Sequence, residues 1–467
     1  MKLNLSAVTK MAIDEFVGEK FSCTCDREHY MNVDKVIIEN GAINKITDLL
    51  VQYDCKFPLI IVDANTYKIA GKKVEQLLSE KNIEFKTVVY QAEQDVIPDE
   101  AAMGKLILAV DNKTDFLLAV GSGVLNDLTK YISRRTGLKS MIVATAPSMD
   151  GFASDTSALT IDNLKTSVSC ELPKIILGDV DILKDAPEKM ILAGLGDMIG
   201  KYSALIDWQL SKIINNEYYC DVTAKISADA IEKCVKNIDG VKTRDDGAIH
   251  NIMDGLIRTG IAMSYVNSSR PASGCEHHLS HYWEMMYLFQ GKEALLHGTK
   301  VGLTSIIAGK IYETFAQEDV DFEKAITAAK VFDAAKWEDQ IKRLYQKAAP
   351  GILKNAVKDN RNNIENRIRR IETIRDNFAA IKVLAKTAKT SACIEDIMGR
   401  AGAPLRPQDV GIDLDIVHNS MLVAKEVRQR YTILNMLADL DLTEKYTEIV
   451  DDFVKNPSRV RSFQPVG

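Results

Sequence analysis

The sequence FLLAVGSGVLNDLTKYISRR, residues 116–135, contains a complete strand–turn–helix unit. Residues 116–120 form a continuous apolar run, which is typical of a strand buried on both faces. Residues 124–135 carry apolar side chains at helical spacing, and the glycine turn at Gly121 and Gly123 separates the two patterns. A strand that enters a helix through a short turn is the repeating unit of an α/β fold with a parallel sheet.

The same unit recurs between residues 31 and 147. Strand-like runs are expected at 35–38, 59–62, 85–90 and 141–144, and helices at 42–53, 71–81 and 99–111. A hairpin is expected from 158–161 to 164–168, with Asp162 and Asn163 in the turn, and one more apolar run follows at 173–183. These patterns predict a Rossmann-like domain with a parallel sheet.

Strand-like runs disappear after about residue 186, and apolar residues then recur at helical spacing. The charged segment 318–389 is typical of a solvated amphipathic bundle. We therefore predict three parts: an N-terminal arm at 1–30 with a short helix and little other structure, an α/β domain at 31–185, and an all-helical domain at 186–467.

Composition excludes several classes of protein. Of the 467 residues, 46% are apolar and 27% are charged, as in ordinary soluble domains, and the net charge of −6 argues against a nucleic-acid scaffold. No apolar run approaches the length of a membrane helix, and the N-terminus does not have the pattern of a secretory signal. We therefore expect a cytoplasmic protein without a membrane span or a nucleic-acid partner.

The eight cysteines are scattered, which indicates reduced thiols rather than a disulfide framework. Cys23 and Cys25, with His29 nearby, could suggest zinc. No second cysteine pair follows them in the sequence, so we do not expect a zinc knuckle.

The glycine turn at Gly121-Ser122-Gly123 could hold a pyrophosphate, because glycines allow close approach and a helix N-terminus supplies free N–H groups. The third glycine of the full dinucleotide fingerprint is absent.

Asp63 ends an earlier strand and could accept from a ribose hydroxyl or cap a helix. The loop 145–154 follows the last strand of the series, where ligands bind in open α/β sheets, so Asp150 could contact substrate or serve only as a turn residue.

Four of the seven histidines, His277, His278, His281 and His297, lie within residues 268–298. His277 and His281 are four residues apart and would share one helix face. With Asp197, two imidazoles would form a metal site that leaves one position open for substrate. The alternative for each histidine is a hydrogen-bonded residue of the core.

Five motifs occur in an order that resembles the sn-glycerol-1-phosphate dehydrogenase family, in its longer bacterial form: GSGVLND, ATAPSMDGFAS, GDMIGKYSALIDW, SRPASGCEHHLSH and LHGTKVG. The N-terminal CTCDREHYMNVDKVIIENGAINKI and the tail segments GAPLRPQDVGI and AKEVRQRYTILNMLADLDL fit the same family. The resemblance spans about residues 22–445. It implies that the α/β domain at 31–185 binds a dinucleotide and that the helical domain at 186–467 binds the metal and the substrate, as in dehydroquinate synthase-like folds. It also implies a homodimer.

The resemblance also implies roles for individual residues. Asp197, His277 and His297 would hold one divalent metal ion (Zn, Ni or Fe), with His278 as the alternative to His277. Asp197, His281 and Asp150 would contact substrate, with His281 as a proton relay of near-neutral basicity. NAD(H) or NADP(H) would be bound by Asp63, Gly121, Ser122, Gly123, Val124, Leu125, Thr145, Ala146, Pro147, Ser148 and Ser154.

The expected reaction interconverts dihydroxyacetone phosphate and sn-glycerol 1-phosphate by hydride transfer at C2. Arg270 is the candidate for binding the phosphate, with a surface or capping role as its alternative. Thr299 stands where several relatives carry Glu, so that position supplies no carboxylate near the metal. The alternatives are a glycerol dehydrogenase acting on unphosphorylated polyol, a dehydroquinate synthase-type lyase and a nucleotide-binding sensor without catalysis.

Overall fold

The computed structural model of the chain describes residues 2–91, 96–161, 164–293 and 295–456. Its strands are β1 (Lys2–Leu3), β2 (Phe21–Cys23), β3 (Glu28–His29), β4 (Lys35–Glu39), β5 (Pro58–Asp63), β6 (Lys86–Tyr90), β7 (Phe116–Gly121), β8 (Lys139–Ala144), β9 (Thr156–Ile161), β10 (Leu164–Ser169) and β11 (Ile175–Asp179). The helices of the first part are α1 (Leu5–Val8), α2 (Ile46–Gln52), α3 (Ala64–Thr66), α4 (Lys72–Glu80), α5 (Glu100–Ala109), α6 (Gly123–Thr136) and α7 (Val180–Leu183).

The remainder is helical. Its helices are α8 (Glu188–Asn215), α9 (Asp221–Lys236), α10 (Asp239–Lys242), α11 (Asp246–Val266), α12 (Cys275–Phe289), α13 (His297–Phe315), α14 (Phe322–Lys330), α15 (Ala334–Tyr345), α16 (Ala349–Lys358), α17 (Ile364–Asp376), α18 (Phe378–Lys386), α19 (Ser391–Ala401), α20 (Leu414–Val423), α21 (Ile433–Asp439) and α22 (Thr443–Lys455). Short 3-10 turns lie at Ile13–Phe16, Ala42–Lys45, Asp150–Ala153, Gln346–Ala348, Pro407–Val410 and Ala424–Glu426, and a π turn lies at Tyr67–Gly71.

Six strands form the main sheet in the order β4-β11-β8-β7-β5-β6, and every described pairing in it is parallel. The predicted α/β fold with a parallel sheet is therefore confirmed. The apolar runs are buried on both faces: Leu59 to Val62 of β5 have no exposed surface. The run at 173–183 supplies β11, which completes the sheet between β4 and β8.

The predicted hairpin is present as the antiparallel pair β9–β10, in which Ile161 faces Leu164. Its expected turn residues, Asp162 and Asn163, lie outside the described residues.

The N-terminal segment is not the loose arm that the sequence suggested. β1, β2 and β3 form a small sheet of their own, and side chains such as Leu3, Phe16 and Phe21 are buried. These apolar side chains join a core that also contains residues of α9 and α11. The segment is ordered because this burial outweighs the short length of its strands.

α8 is the longest helix, with 28 residues, and it runs beside α13 at close range. A Cβ atom placed on Gly298 would lie 1.7 Å from the carbonyl oxygen of Ala193, so only glycine permits this approach. Gly194 is equally constrained by the carbonyl oxygen of Pro147, at 1.8 Å. α8 is thereby held against both α13 and the loop that follows β8. Among the described residues, no helix combines the length and hydropathy that a membrane crossing requires.

Candidate active site

Three of the predicted cofactor positions follow neighbouring strands at the same edge of the sheet. Asp63 ends β5, Gly121 ends β7, and Thr145 comes directly after β8. Because these strands are parallel and adjacent, their carboxyl ends meet at one place. Ligands of open α/β sheets bind outside this edge.

The glycine turn leads directly into α6. Ser122 is the N-cap of α6, yet its side chain does not cap the helix, which leaves the first N–H groups to other acceptors. The Thr145 N–H donates to the Gly121 carbonyl at 3.0 Å, and the hydroxyl oxygens of Ser122 and Ser148 lie 3.5 Å apart. The predicted segments 121–125 and 145–148 are therefore side by side around a helix N-terminus, an arrangement that suits a phosphate group.

Asp63 has the capping role that was its alternative interpretation. Its Oδ1 accepts from the N–H groups of Asn65 and Thr66, both at 2.8 Å, at the start of α3. Its contact with a ribose stays a prediction. Ser154, at the far end of the loop, lies with its hydroxyl oxygen 3.0 Å from that of Thr156.

Asp150 connects this region to the helical part. Its backbone N–H donates to Oδ2 of Asp197 at 3.0 Å, and its carboxylate forms an ion pair of 2.7 Å with Lys201. Lys201 also contacts Oδ1 of Asp197, at 2.6 Å. Burial and the neighbouring Asp197 raise the pKa of Asp150. Burial acts to lower the pKa of Lys201, but the two carboxylates outweigh it and hold that pKa above its usual value.

The predicted metal ligands converge. Asp197, His277 and His297 each offer an atom within 4.8 Å of the others. The Nε2 atoms of His277 and His297 lie 3.2 Å apart, and Nε2 of His277 lies 3.8 Å from Oδ1 of Asp197. Asp197 comes from the middle of α8, His277 from the first turn of α12, and His297 from the first residue of α13. Three separate helices therefore point these side chains at one place.

Glu276 orients His277. Oε1 of Glu276 lies 2.7 Å from Nδ1 of His277, and Glu276 itself accepts from Ser203 and from the Gly274 N–H. With its proton on Nδ1, His277 presents the lone pair of Nε2 to Asp197 and His297. This is the arrangement by which a carboxylate fixes the tautomer of a metal-binding histidine. The carboxylate that Thr299 does not supply is thus present at another position.

The donor set fits a divalent ion. Burial and the charges of His297 and Lys201 lower the pKa of His277 well below its usual value, so the ring is neutral, as a metal ligand must be. One carboxylate and two imidazoles suit zinc, nickel and iron alike. Lys201 contacts Oδ1 of Asp197 at 2.6 Å, so an ion bound through that oxygen would share it with Lys201.

His281 lies beside this group, with its ring centroid 5.9 Å from that of His277 and 5.6 Å from that of His297. Nη2 of Arg428 lies 3.1 Å from Nε2 of His281. Burial and the charge of Arg428 lower the pKa of His281 to about 3. The near-neutral basicity expected from the sequence is therefore wrong for this environment.

His278 points elsewhere. It is fully buried, it belongs to none of the candidate metal groups found among the described residues, and neither ring nitrogen has a hydrogen-bond partner there. The geometry thus favours His277 over His278.

Arg270 is not available for a substrate phosphate. Its Nε donates to Glu217 at 2.7 Å, its Nη1 donates to the Tyr431 carbonyl at 2.9 Å, and its Nη2 contacts Glu217 and Ser211. Through these bonds Arg270 connects α8 and the residues that follow it to the segment before α21, so the role of Arg270 is structural.

Three residues near the ligands were missed by the sequence analysis: Lys201, Glu276 and Arg428. Lys201 and Glu276 had a usable signal, since one lies four residues after Asp197 and the other directly before His277. Arg428 had no signal, because its neighbour His281 lies 147 residues earlier in the chain.

Comparison with known proteins identifies the fold and the family of the chain. The sequence model of the family described as "Iron-containing alcohol dehydrogenase" matches residues 37–187. Among solved structures, a glycerol dehydrogenase from Schizosaccharomyces pombe superimposes with a TM-score of 0.59 at 14% identity, over 91% of each chain. An iron-containing alcohol dehydrogenase from Corynebacterium glutamicum has a TM-score of 0.57 at 16% identity, over 91% of this chain and 95% of its own. These likenesses establish the fold.

Two of the curated relatives that are similar to this chain share one name. The protein named glycerol-1-phosphate dehydrogenase [NAD(P)+] from Halalkalibacterium halodurans is 35% identical over 302 residues, which cover 64% of this chain and 76% of the relative. Its namesake from Geobacillus thermodenitrificans is 29% identical over 435 residues, or 92% of this chain and 99% of the relative. With the shared fold and the converging donor set, these matches show that the chain belongs to the glycerol-1-phosphate dehydrogenase family.

Proposed function

We propose that the protein interconverts dihydroxyacetone phosphate and sn-glycerol 1-phosphate by hydride transfer at C2, with NAD(H) or NADP(H) and one divalent metal ion. The observation that carries this proposal is the loop 145–150. One end of it lies against the glycine turn, through Ser148 and Ser122, and the other end is bonded to Asp197 through Asp150. Ser148, beside the proposed dinucleotide position, and Asp150, beside the proposed metal position, are thus only two residues apart in the sequence. The relatives named glycerol-1-phosphate dehydrogenase support glycerol 1-phosphate as the substrate.

When bound, the divalent ion polarises the C2 oxygen and the nicotinamide exchanges the hydride. In this proposal Asp197, His277 and His297 hold the ion, and Asp197 also borders the substrate. Glu276 keeps His277 in the tautomer that binds. Lys201 and Asp150 hold Asp197 in place from the side of the dinucleotide.

His281 remains the proposed proton relay, but only as a group that transfers a proton and does not hold one at neutral pH. A histidine whose pKa is lowered to about 3 does not store a proton at neutral pH. To pass a proton between the substrate oxygen and Glu284, Nε2 of His281 would exchange its contact with Arg428 for the substrate oxygen, while Nδ1 faces Oε2 of Glu284 at 3.9 Å. Positioned transfers of this kind contribute ~10²–10⁴-fold to a rate.

Arg428 and Arg430 are the proposed partners of the substrate phosphate, in place of Arg270. Arg428 adjoins His281, and Nη1 of Arg430 is buried without a hydrogen-bond partner among the described residues. Burial and the charges of Arg428 and Arg270 lower the pKa of Arg430 to about 9. An anion would relieve this repulsion and fill the unused donor. Both arginines line a cavity of about 1380 Å³.

Several finer points of the proposal come from the family resemblance. The homodimer is one of them, whereas the cytoplasmic location rests on the scattered cysteines and the division of the chain near residue 185 on the change of sequence pattern. Asp63 would disfavour the 2′-phosphate of NADP(H) if its carboxylate faces the ribose.

The test is a turnover assay with dihydroxyacetone phosphate and, as the matched control, unphosphorylated dihydroxyacetone. Each substrate is paired with NADH or NADPH and with zinc, nickel or iron, and the chirality of the product is determined. We expect oxidation of the dinucleotide with the phosphorylated substrate and formation of sn-glycerol 1-phosphate. Preference for the unphosphorylated substrate would instead identify a glycerol dehydrogenase. Turnover of a sugar phosphate without net oxidation of the dinucleotide would identify a lyase.

A further inference from the structure

A second group of metal-binding side chains lies away from the active site. Cys23 ends β2, Cys25 follows in the turn, and His29 belongs to β3, so three of its members come from one short hairpin. The fourth, Cys220, is the N-cap residue of α9. Each side chain offers one ligand atom within 4.8 Å of the others. Cys23, His29 and Cys220 are at most 2% exposed.

The distances in this group are those of a tetrahedral site. The sulfur atoms of Cys23 and Cys220 lie 3.8 Å apart. Nε2 of His29 lies 3.4 Å from the sulfur of Cys25 and 3.5 Å from that of Cys220. A tetrahedral zinc ion with bonds of about 2.3 Å to sulfur and about 2.0 Å to nitrogen places two sulfurs about 3.8 Å apart, and a sulfur and a nitrogen about 3.5 Å apart.

The histidine is prepared for ligation. Nδ1 of His29 lies 2.8 Å from the carbonyl oxygen of Tyr265, which can only accept, so the ring proton is on Nδ1. The lone pair of Nε2 therefore faces the three sulfurs. Stacking on the Tyr265 ring, with centroids 5.2 Å apart and planes within 3°, holds the imidazole in this orientation. A hydrogen bond from the second ring nitrogen to a carbonyl group is a regular feature of metal-binding histidines.

We propose that Cys23, Cys25, His29 and Cys220 bind one zinc ion in a structural site that is independent of the catalytic reaction. The four ligands fill a tetrahedral coordination sphere and leave no position for a substrate. On binding, the three thiols lose their protons to solvent and the ion is held by three thiolates and one neutral imidazole. No redox change is involved.

The surroundings suit the net negative charge of such a site. Cys220 is at the N-terminus of α9, where the helix dipole favours an anionic ligand. The Tyr218 hydroxyl lies 3.2 Å from the sulfur of Cys25, and the guanidinium of Arg27 covers the Tyr218 ring at 3.4 Å. A hydrogen-bond donor and a cation are therefore both close to the thiolates.

The site would connect the N-terminal sheet to the helices that carry the active site. His29 contacts Tyr265 near the end of α11, and the Tyr265 hydroxyl donates to the Phe16 carbonyl. Residues 267–274 lead from α11 directly to α12 and His277. The ion would thus hold the N-terminal segment against the start of the loop that positions a catalytic ligand. The ion would also add to the apolar burial that orders this segment.

The first test measures metals and cobalt spectra on the full-length protein. We expect zinc in addition to the active-site metal, close to two metal ions per chain by mass spectrometry of the elements. Protein produced with cobalt should show thiolate-to-cobalt charge-transfer absorption, which Asp197, His277 and His297 cannot give because they contain no sulfur. The variant His297→Ala should lose one metal ion and keep this absorption. A single metal ion per chain and no charge-transfer band would overturn the proposal.

Variants assign the ligands. Cys220→Ser should lose one zinc per chain and the cobalt–thiolate band, whereas the control Cys393→Ser, at a cysteine outside the group, should keep both. If Cys220→Ser does not fold, X-ray absorption at the zinc edge of His297→Ala, in which the active-site metal is removed, gives a second readout. It should show about three sulfur neighbours at about 2.3 Å. A Cys23–Cys220 disulfide in zinc-free, active protein would contradict the site.

Discussion

The backbone N–H of Asp150 donates to Oδ2 of Asp197 at 3.0 Å. This bond joins the loop after β8, which faces the proposed dinucleotide, to the carboxylate that we propose as a metal ligand. A shift of the loop on cofactor binding would therefore act directly on Asp197.

Removal of His297 should abolish the metal site. In His297→Ala we expect one metal ion per chain to be lost and turnover to fall by ~100-fold or more, because a bound ion supplies several kcal/mol of charge stabilisation. Metal analysis and steady-state kinetics measure the two effects. The control is His418→Ala, at a half-exposed histidine paired with Asp451. Full activity with the metal retained would exclude His297 from the ligand set.

Replacement of His281 should separate binding of the metal from turnover. His281→Ala should keep the metal content and lower kcat by ~10²–10⁴-fold, as expected for loss of a proton-transfer group. Loss of metal together with activity would instead make His281 a ligand, through the group that it forms with Glu284 and His297.

A side chain at Gly123 should obstruct the dinucleotide. An ideal Cβ there would lie 3.4 Å from Cε of Met149, so Gly123→Val should fold. It should raise KM for the dinucleotide by ~10–100-fold, the equivalent of about one charge-assisted hydrogen bond. Gly104→Val is the control, because a Cβ there meets nothing within 4 Å. An unchanged KM would place the cofactor at another site.

Gly298 should be required for the contact between α8 and α13. Gly298→Ala places a Cβ 1.7 Å from the Ala193 carbonyl oxygen, and we expect the free energy of unfolding to fall by ~1–3 kcal/mol, with weaker metal binding because His297 is adjacent. Urea unfolding and metal titration measure these effects. In the control Gly351→Ala, where a Cβ meets nothing within 4 Å, stability should be unchanged or higher. Equal behaviour of the two variants would refute the steric argument.

Arg428 should recognise the phosphate. Arg428→Ala should raise KM for dihydroxyacetone phosphate by ~10–100-fold, and Arg428→Lys should raise it less because a charge remains. The comparison substrate is dihydroxyacetone, for which KM should change little. An equal loss for both substrates would mean that Arg428 acts on His281 and not on the phosphate.

The fold was predictable from the sequence where the signals are local. The run at 116–135 and its counterparts predict parallel strands, and the helical spacing after residue 186 predicts the second half, because each pattern repeats within one element. The order of the strands was not predictable in this way. β11 lies between β4 and β8 only through contacts distant in sequence.

The residues of the two candidate sites were likewise predictable where the signal is local, and not where it depends on residues distant in sequence. His277 and His281 were found from their spacing on one helix, whereas the choice between His277 and His278 depended on ring directions that spacing cannot fix. The zinc ligands were dismissed because the fourth, Cys220, lies 191 residues after His29. The lowered pKa of His281 results from its burial and from Arg428, neither of which is visible in the motif.

α8 carries Gly194 against Pro147, then Asp197, then Lys201, and finally Asp207, whose carboxylate accepts from the first N–H of α12 and from the Tyr312 hydroxyl of α13. The spacing between these contacts is fixed by the rise of a single helix, ~1.5 Å per residue. An insertion or deletion within 194–207 would displace all of them together. The number of residues between Gly194 and Asp207 is therefore constrained, because it sets the distances among the contacts that α8 makes with its neighbours.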